Sequence, residues 1–404
     1  MLNRCSNLLP RNDPVVIGAM VLDVHAHPWT DELRPGTTAP GRVQYVRGGV
    51  GRNVVECMSK LGLAPFFISV AGQDMAGDLL LAHLQSMGLK IDGICRISEA
   101  STPAVSVIFD KEGELAGAVA DTHSFEDHLT PKWIGQFRNQ IRCASFVMLD
   151  ANLSEAALQA ACELAKEAGV PIWFEPVSVS KSVRHSSISS HLTFVSPNEA
   201  ELVAMTTGED YKPEISAELL DNSKDLQSIL SLLQVPIIRL LERGIKFIVL
   251  TLGGLGVVLC SKVCSATVDN GCLAETTGNQ DAYLSDGVCC VHFPALPASI
   301  VSLSGAGDCF VGGVLAGICT QHSLHASMAF GSAAARHAIQ SELNVPSNLP
   351  QSQLKADAQK PACAVSTLTF EVGHRDSSNS LSGQSTFCTI VSTDDGKYFY
   401  LRNT

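Results

Sequence analysis

The sequence predicts an α/β protein: a doubly wound, mostly parallel sheet flanked by helices, with a small β lid. Three observations carry that expectation. Short, nearly continuous apolar runs recur along the chain, as strands buried on both faces of a parallel sheet require. Helical patterns alternate with them, in the order of repeated strand–helix–strand units. Two segments, 43–46 and 104–120, break the rhythm and read as strands outside the series.

The first run, residues 15–22, is Val-Val-Ile-Gly-Ala-Met-Val-Leu and ends at Asp23. It places Asp23 at the carboxyl end of the first strand, where ligands bind in open α/β sheets. Segments 104–110 and 116–120 are joined by Asp110-Lys111-Glu112-Gly113, a turn sequence. With residues 43–46 they form the expected lid, from about 38–50 and 102–121. Further strand-like runs fall at 65–70, 144–149, 171–174, 192–195 and 246–252. The clearest helix is 154–168, where Leu158, Ala161, Cys162 and Ala165 share one face. Residues 261–298 lack long apolar runs and read as a surface insertion between two strands. One domain is expected over 14–345 and an extension over 346–404. Within the extension, 376–385 is Ser/Gly/Asn-rich and reads as flexible, whereas 365–372 and 398–401 are apolar enough to add a strand.

Composition narrows the function classes. The 404 residues are 46% hydrophobic and 17% charged, a globular composition. A net charge of −12 argues against a nucleic-acid partner, which basic clusters would recruit. It does not argue against ATP, because backbone dipoles can hold phosphates. No apolar run reaches the roughly 18 residues of a membrane span. Residues 1–10 carry no sustained apolar run and 401–404 are not an SKL-type address, so a cytoplasmic protein is expected. The 14 cysteines read as reduced thiols. Cys260, Cys264, Cys272, Cys289 and Cys290 crowd together without a CxxC pair, which argues against zinc.

Four motifs carry chemistry. Ser304-Gly305-Ala306-Gly307-Asp308 precedes a helical stretch at 309–319. Small residues let a ligand approach the backbone, and the helix end adds a positive dipole, which suits a transferring phosphoryl group. Asp308 at its rim can take a proton from an attacking hydroxyl, and the helix end is expected to lower its pKa. Alone, this motif reads more readily as a glycine turn with an Asp cap. The second motif, Gly48-Gly49-Val50-Gly51-Arg52-Asn53, opens a helix at 53–61 that Gly62 stops. Its Asn amide can both donate to and accept from hydroxyls, and Asp23 can take two adjacent sugar hydroxyls. The third places Asn198 and Glu201 three apart after the 192–195 strand, on one helix face; the pair suits Mg²⁺ beside ATP, or simply a helix start. The fourth, Thr251-Leu252-Gly253-Gly254-Leu255-Gly256, is a glycine turn after a buried strand that can support a nucleotide.

The order Asp23, Gly48-Gly49…Asn53, Gly72-Gln73-Asp74…Gly77, Asn198…Glu201, Thr251…Gly256 and Gly305-Ala306-Gly307-Asp308 resembles the PfkB (ribokinase-like) carbohydrate kinases over about 14–345. The resemblance implies Mg·ATP-dependent phosphorylation of a sugar or nucleoside hydroxyl. It implies Asp308 as base, with Gly305, Ala306 and Gly307 as the anion hole. By the same resemblance Asp23, Gly49 and Asn53 hold the sugar. Asn198 and Glu201 organise the triphosphate and Mg²⁺, and Thr251, Gly253 and Gly256 line the ATP site. Arg52 directly before Asn53, the Val21–His25 opening and Asp121 after the lid resemble the pseudouridine-phosphorylating subgroup, which implies a nucleoside acceptor. Lid strands in this family often pair between subunits, so a homodimer is implied. Ser302 stands where family members often carry an Asp that helps bind an activating monovalent cation, which leaves potassium activation open.

Rival readings use fewer of these residues. His25-Ala26-His27 resembles the metal pair of amidohydrolase barrels, with His185 and His191 available, but leaves both glycine motifs unexplained. A non-catalytic sugar or nucleotide sensor has no need of Asp308. A dinucleotide-binding oxidoreductase needs its glycine motif directly after the first strand, whereas Gly18 lies inside that run.

Overall fold

The computed structural model describes residues 13–30, 36–110, 115–208, 211–223, 225–262, 287–358, 366–371, 388–392 and 398–402. Parallel strands β1 (Val15–Ile17), β4 (Phe66–Gly72), β5 (Ile94–Ile97), β8 (Val147–Asp150), β9 (Ile172–Glu175), β10 (Phe194–Val195) and β11 (Phe247–Thr251) form the centre of a 12-stranded sheet. The antiparallel strands β12 (Val257–Lys262), β13 (Gly287–Phe293), β14 (Ser366–Glu371), β15 (Cys388–Ser392) and β16 (Tyr398–Arg402) extend it beyond β11. The order is β16-β15-β14-β13-β12-β11-β10-β9-β8-β1-β4-β5. A second sheet of four strands has the order β3-β2-β6-β7, from β2 (Val21–Pro28), β3 (Gly41–Gly48), β6 (Ala104–Phe109) and β7 (Leu115–Asp121).

The apolar runs are continuous because both sheet faces are covered. Val15, Ile17, Val147, Leu149, Ile172 and Phe174 turn to one face, where helices Glu155–Glu167, Glu199–Thr206 and Leu226–Glu242 pack. Val16, Met148 and Trp173 turn to the other, against Val50–Lys60, Met75–Ser86, Ala306–Cys319 and Leu324–Ile339. Each enclosed leucine, such as Leu158 or Leu230, contributes about 2 kcal/mol of transfer free energy. Ser154 starts its helix by accepting from the Ala157 N–H, and the expected face of Leu158, Ala161, Cys162 and Ala165 is the buried one.

The structure corrects several boundaries. The run 15–22 is not one strand. The chain leaves the central sheet after Ile17, because Gly18 is squeezed between Asp150 and Gly51: a Cβ there would lie 2.4 Å from Asp150 Oδ2. Asp23 therefore sits in β2 of the small sheet, opposite Val46 and Val105, instead of ending the first strand. The helix expected at 53–61 begins at Val50, and the one expected at 309–319 begins at Ala306. β13 occupies 287–293, inside the segment read as an insertion, because Val288 and Cys290 bury against one face of the sheet's core and Phe293 against the other. The rest of that segment from 263 to 286, the turn 111–114 and the glycine-rich stretch 376–385 lie outside the described residues. β14 overlaps the apolar 365–372 stretch and pairs with β13.

The Gly72-Gln73-Asp74…Gly77 motif anchors the crossing into β6. Asp74 caps its helix by accepting from the Gly77 N–H, and also accepts from the Thr102 N–H (2.7 Å) and hydroxyl (2.6 Å). No helix among the described residues is long and apolar enough to cross a membrane.

Candidate active site

The Gly305–Asp308 corner opens the helix Ala306–Cys319. Gly305 is left-handed (φ 77°), and a Cβ on it would come within 2.0 Å of the Asn344 carbonyl, so only glycine fits. Gly307 is different: a Cβ there would meet nothing within 4 Å. The first N–H groups of a helix have no intrahelical partners and carry its positive dipole end. An open, positively polarised space therefore lies beside Asp308.

Asp308 is half-buried and accepts a hydrogen bond from Asn53 Nδ2 at 2.5 Å, across 255 residues of sequence. The expectation of a lowered pKa is overturned. Desolvation raises Asp308 to about 6, outweighing the Asn53 hydrogen bond and the Arg52 charge, and Asp150 pushes the same way. A carboxylate of that pKa is a better proton acceptor than an ordinary aspartate while still largely ionised at neutral pH.

Two carboxylates at this end of the sheet escaped the sequence reading. Asp150 ends β8, is fully enclosed, and accepts from the backbone N–H groups of Ala19 (2.7 Å), Gly51 (3.0 Å) and Asn152 (3.0 Å). Glu175 ends β9, accepts a short hydrogen bond from the Ser196 hydroxyl, and has its pKa raised well above the ordinary value by burial and by Glu201, Asp308 and Asp150. Their position at strand carboxyl ends was the available signal.

The remaining expected residues distribute around this centre. Asp23 lies against the Gly48 backbone, where a Cβ would be 2.1 Å from its Oδ2; burial raises it to about 6 against the pull of Arg52. Gly49, at φ 92°, has no room for a side chain beside the Ala19 carbonyl. Asn198 and Glu201 form a reciprocal capping box: Asn198 Oδ1 accepts from the Glu201 N–H (2.8 Å) and Glu201 Oε2 from the Asn198 N–H (2.9 Å). The Asn198 amide oxygen and one carboxylate oxygen of Glu201 are thus spent on the helix start. Thr251 bridges to Asn198, and Gly253 and Gly256, both at positive φ, form the turn after β11. Asp121 stands exposed at the end of β7, opposite Ala104, and no contact among the described residues joins it to the Asn53–Asp308 pair.

The histidine reading does not assemble. His27 stacks on Phe109 at 4.4 Å with His25 beside it on the small sheet, while His185 is buried against the Ser182 carbonyl and His191 meets Lys166. Among the described residues no three His, Cys, Asp or Glu side chains are grouped to hold a metal.

A parallel α/β core with helices on both faces and a four-stranded sheet beside its strand ends is the ribokinase-like architecture. The family described as pfkB family carbohydrate kinase matches residues 11–272 and 272–351, and the chain belongs to that family. It is similar to a pseudouridine kinase of Arabidopsis thaliana, 39% identical over 365 residues that cover 86% of this chain and 96% of the relative. Its fold is shared with a ribokinase of Arabidopsis thaliana complexed with ribose and ATP (TM-score 0.66, 18% identity, 87% and 99% of the two chains). It is shared equally with a putative ribokinase II of Escherichia coli in complex with ATP and Mg²⁺ (TM-score 0.65, 16% identity, 86% and 99%). The protein is thus an ATP-dependent kinase of the sugar and nucleoside class, and the family implies Mg²⁺ with its ATP.

Proposed function

We propose that the protein transfers the γ-phosphoryl group of ATP to the 5′-hydroxyl of pseudouridine. The observation that carries the substrate is the 39% identity to the plant pseudouridine kinase along nearly the whole of both chains. In this reading Asp23, Gly49 and Asn53 hold the ribose and Asp121 borders the nucleoside, under the small sheet as lid. Asp308 accepts the hydroxyl proton, and Gly305, Ala306 and Gly307 present N–H groups to the transferring phosphoryl. In a loose transition state that proton leaves late, so the hold of Asn53 on Asp308 matters as much as base strength.

Thr251, Gly253 and Gly256 border the nucleotide. Burial raises the carboxyls of Glu175, at the end of β9, and of Glu201, in the first turn of the helix Glu199–Thr206, and the Glu201 charge raises Glu175 further; such a donor set fits Mg²⁺. Glu201, with Asn198 and Glu175, is where the chain would hold it. When bound with the triphosphate, Mg²⁺ neutralises phosphate charge. Ser302 offers no carboxylate for a monovalent cation, which leaves potassium activation open.

The same reading includes a homodimer through the outer face of the small sheet. Register places Tyr45, Val24, Ser106 and Val119 in one row, and Tyr45 and Val119 are 58% and 74% exposed. Light scattering of wild type against V119D tests it: loss of a dimer supports it, and a wild-type monomer rejects it.

The decisive experiment is ADP release with Mg·ATP and, in turn, pseudouridine, uridine, adenosine, ribose and fructose 6-phosphate. Strong preference for pseudouridine is the expected result. Preference for another acceptor discards the proposed substrate, and silence across the set rejects the proposal as a whole.

A further inference from the structure

Arg52 is a buried guanidinium that touches four things. Its Nε donates to the Gly48 carbonyl (2.9 Å), and its Nη2 donates to the Arg47 carbonyl (2.7 Å) and to Asn53 Oδ1 in a short bond. Its Nη1 pairs with Glu56, also at short range. Arg52 is 1% exposed and Glu56 2%. Glu56 in turn is held by Lys60 (2.6 Å) and lies 3.1 Å from His83, and Lys60 reaches the Pro346 carbonyl (2.7 Å).

A buried ion pair is a poor stabiliser compared with apolar residues of the same volume, because desolvation offsets most of the attraction. Filling space therefore does not account for this arginine; the direction of its donors does. The Asn53 amide has one oxygen and one NH₂ group. With the oxygen turned to Arg52, an N–H must face Asp308, as it does at 2.5 Å. Without the guanidinium the amide keeps only the Asp308 carboxylate to orient it, and the Asn53–Asp308 pair loses its tie to the Arg47 and Gly48 carbonyls at the end of β3. The planar fork is also required: four of its five N–H groups are used in different directions, which a lysine ammonium cannot match. The amide keeps one N–H for a substrate hydroxyl, while its oxygen is largely committed.

We propose that Arg52 is a positioning residue for phosphoryl transfer: it fixes the orientation of the Asn53 amide, and through it the Asp308 carboxylate, in one frame with the end of β3. The inference rests on the reading of Asp308 as the base. It acts through Asn53 and needs no contact between Arg52 and either substrate.

The test is a double-mutant cycle in the full-length protein with Mg·ATP and the best acceptor from the panel above. R52K keeps a charge opposite Glu56, and R52M/E56M replaces the ion pair with apolar volume; N53A and D308N complete the set. Thermal melting checks folding. Expected is a loss of kcat on the order of 10²-fold in R52K and R52M/E56M. KM for Mg·ATP stays within about threefold, and R52K lowers kcat by less than about twofold further when added to N53A. A merely structural Arg52 predicts the opposite: the R52K and N53A losses multiply. That result, or wild-type kcat in either Arg52 variant, or failure of both variants to fold, overturns the inference. An inactive D308N beside a fully active R52K overturns it alone, whereas a fully active D308N overturns the reading of Asp308 and the inference with it.

Discussion

Two glycine corners meet at the Asn53–Asp308 hydrogen bond, and they use glycine for opposite purposes. At Gly48–Asn53 the glycines let backbone touch backbone: a Cβ on Gly51 would lie 2.8 Å from the Gly18 carbonyl carbon and Cα. Asp150 then accepts from both Gly51 and Ala19, so this corner is a joint between the first strand, β8 and the helix Val50–Lys60. At Gly305–Asp308 one glycine is likewise forced, but Gly307 looks onto open space. Gly51 serves as scaffold, whereas Gly307 leaves room for a ligand. A glycine motif therefore announces close approach without saying what approaches.

The comparison breaks first at Asp308. Asp308→Asn should lower kcat on the order of 10³-fold with an unchanged melting temperature, measured by coupled ADP release and thermal denaturation. Substitution in the scaffold corner should do the reverse. Gly51→Ala forces a methyl into the Gly18 backbone and should cost about 2 kcal/mol in urea unfolding, its kinetic effects following from that loss. Asp150→Asn should destabilise by a similar amount, about 2 kcal/mol, because an amide NH₂ cannot accept from the N–H groups now facing both carboxylate oxygens. Gly307→Ala separates the corners most cleanly: helix propensity should raise stability by up to ~1 kcal/mol. The added methyl should slow turnover roughly tenfold by crowding the phosphoryl space.

The smallest effect is in pH. Asp308 must be ionised to accept a proton, and its pKa is raised to about 6, so kcat/KM should fall as pH drops through that value. A limb near pH 4 would remove the desolvation argument and restore the helix end as the stronger influence.

Much of the core was legible because its strands are buried on both faces, which leaves an unbroken apolar run such as 147–149 or 172–174 in the sequence. That same signal hid the break at Gly18. The run 15–22 stays apolar through it, and what breaks it, Asp150, lies 131 residues from Ala19. The glycine and Asp motifs were legible as neighbours in the chain, and their meeting at 2.5 Å was suggested only by family resemblance. The sign of the Asp308 shift was not legible: the helix rule is local, whereas desolvation and the Asp150 charge come from elements far away in sequence. Arg52 was visible as a residue before Asn53, but its four partners belong to a folded turn. Asn198 and Glu201 make the helix start that their spacing allowed, since the spacing that aims two side chains to one side is also that of a capping box.

Asp74 has a consequence for behaviour in acid. Its carboxylate holds the crossing at Thr102, and the hydrogen bonds it accepts from the Thr102 hydroxyl, the Thr102 N–H and the Gly77 N–H keep its pKa below the ordinary value of 3.8 despite some desolvation. A carboxyl depressed in the folded state contributes stability above its unfolded pKa and loses it only as pH falls through the folded one. The strap between the core and the small sheet therefore stays fastened through mildly acidic conditions, well below the pH at which Asp308 takes up its proton.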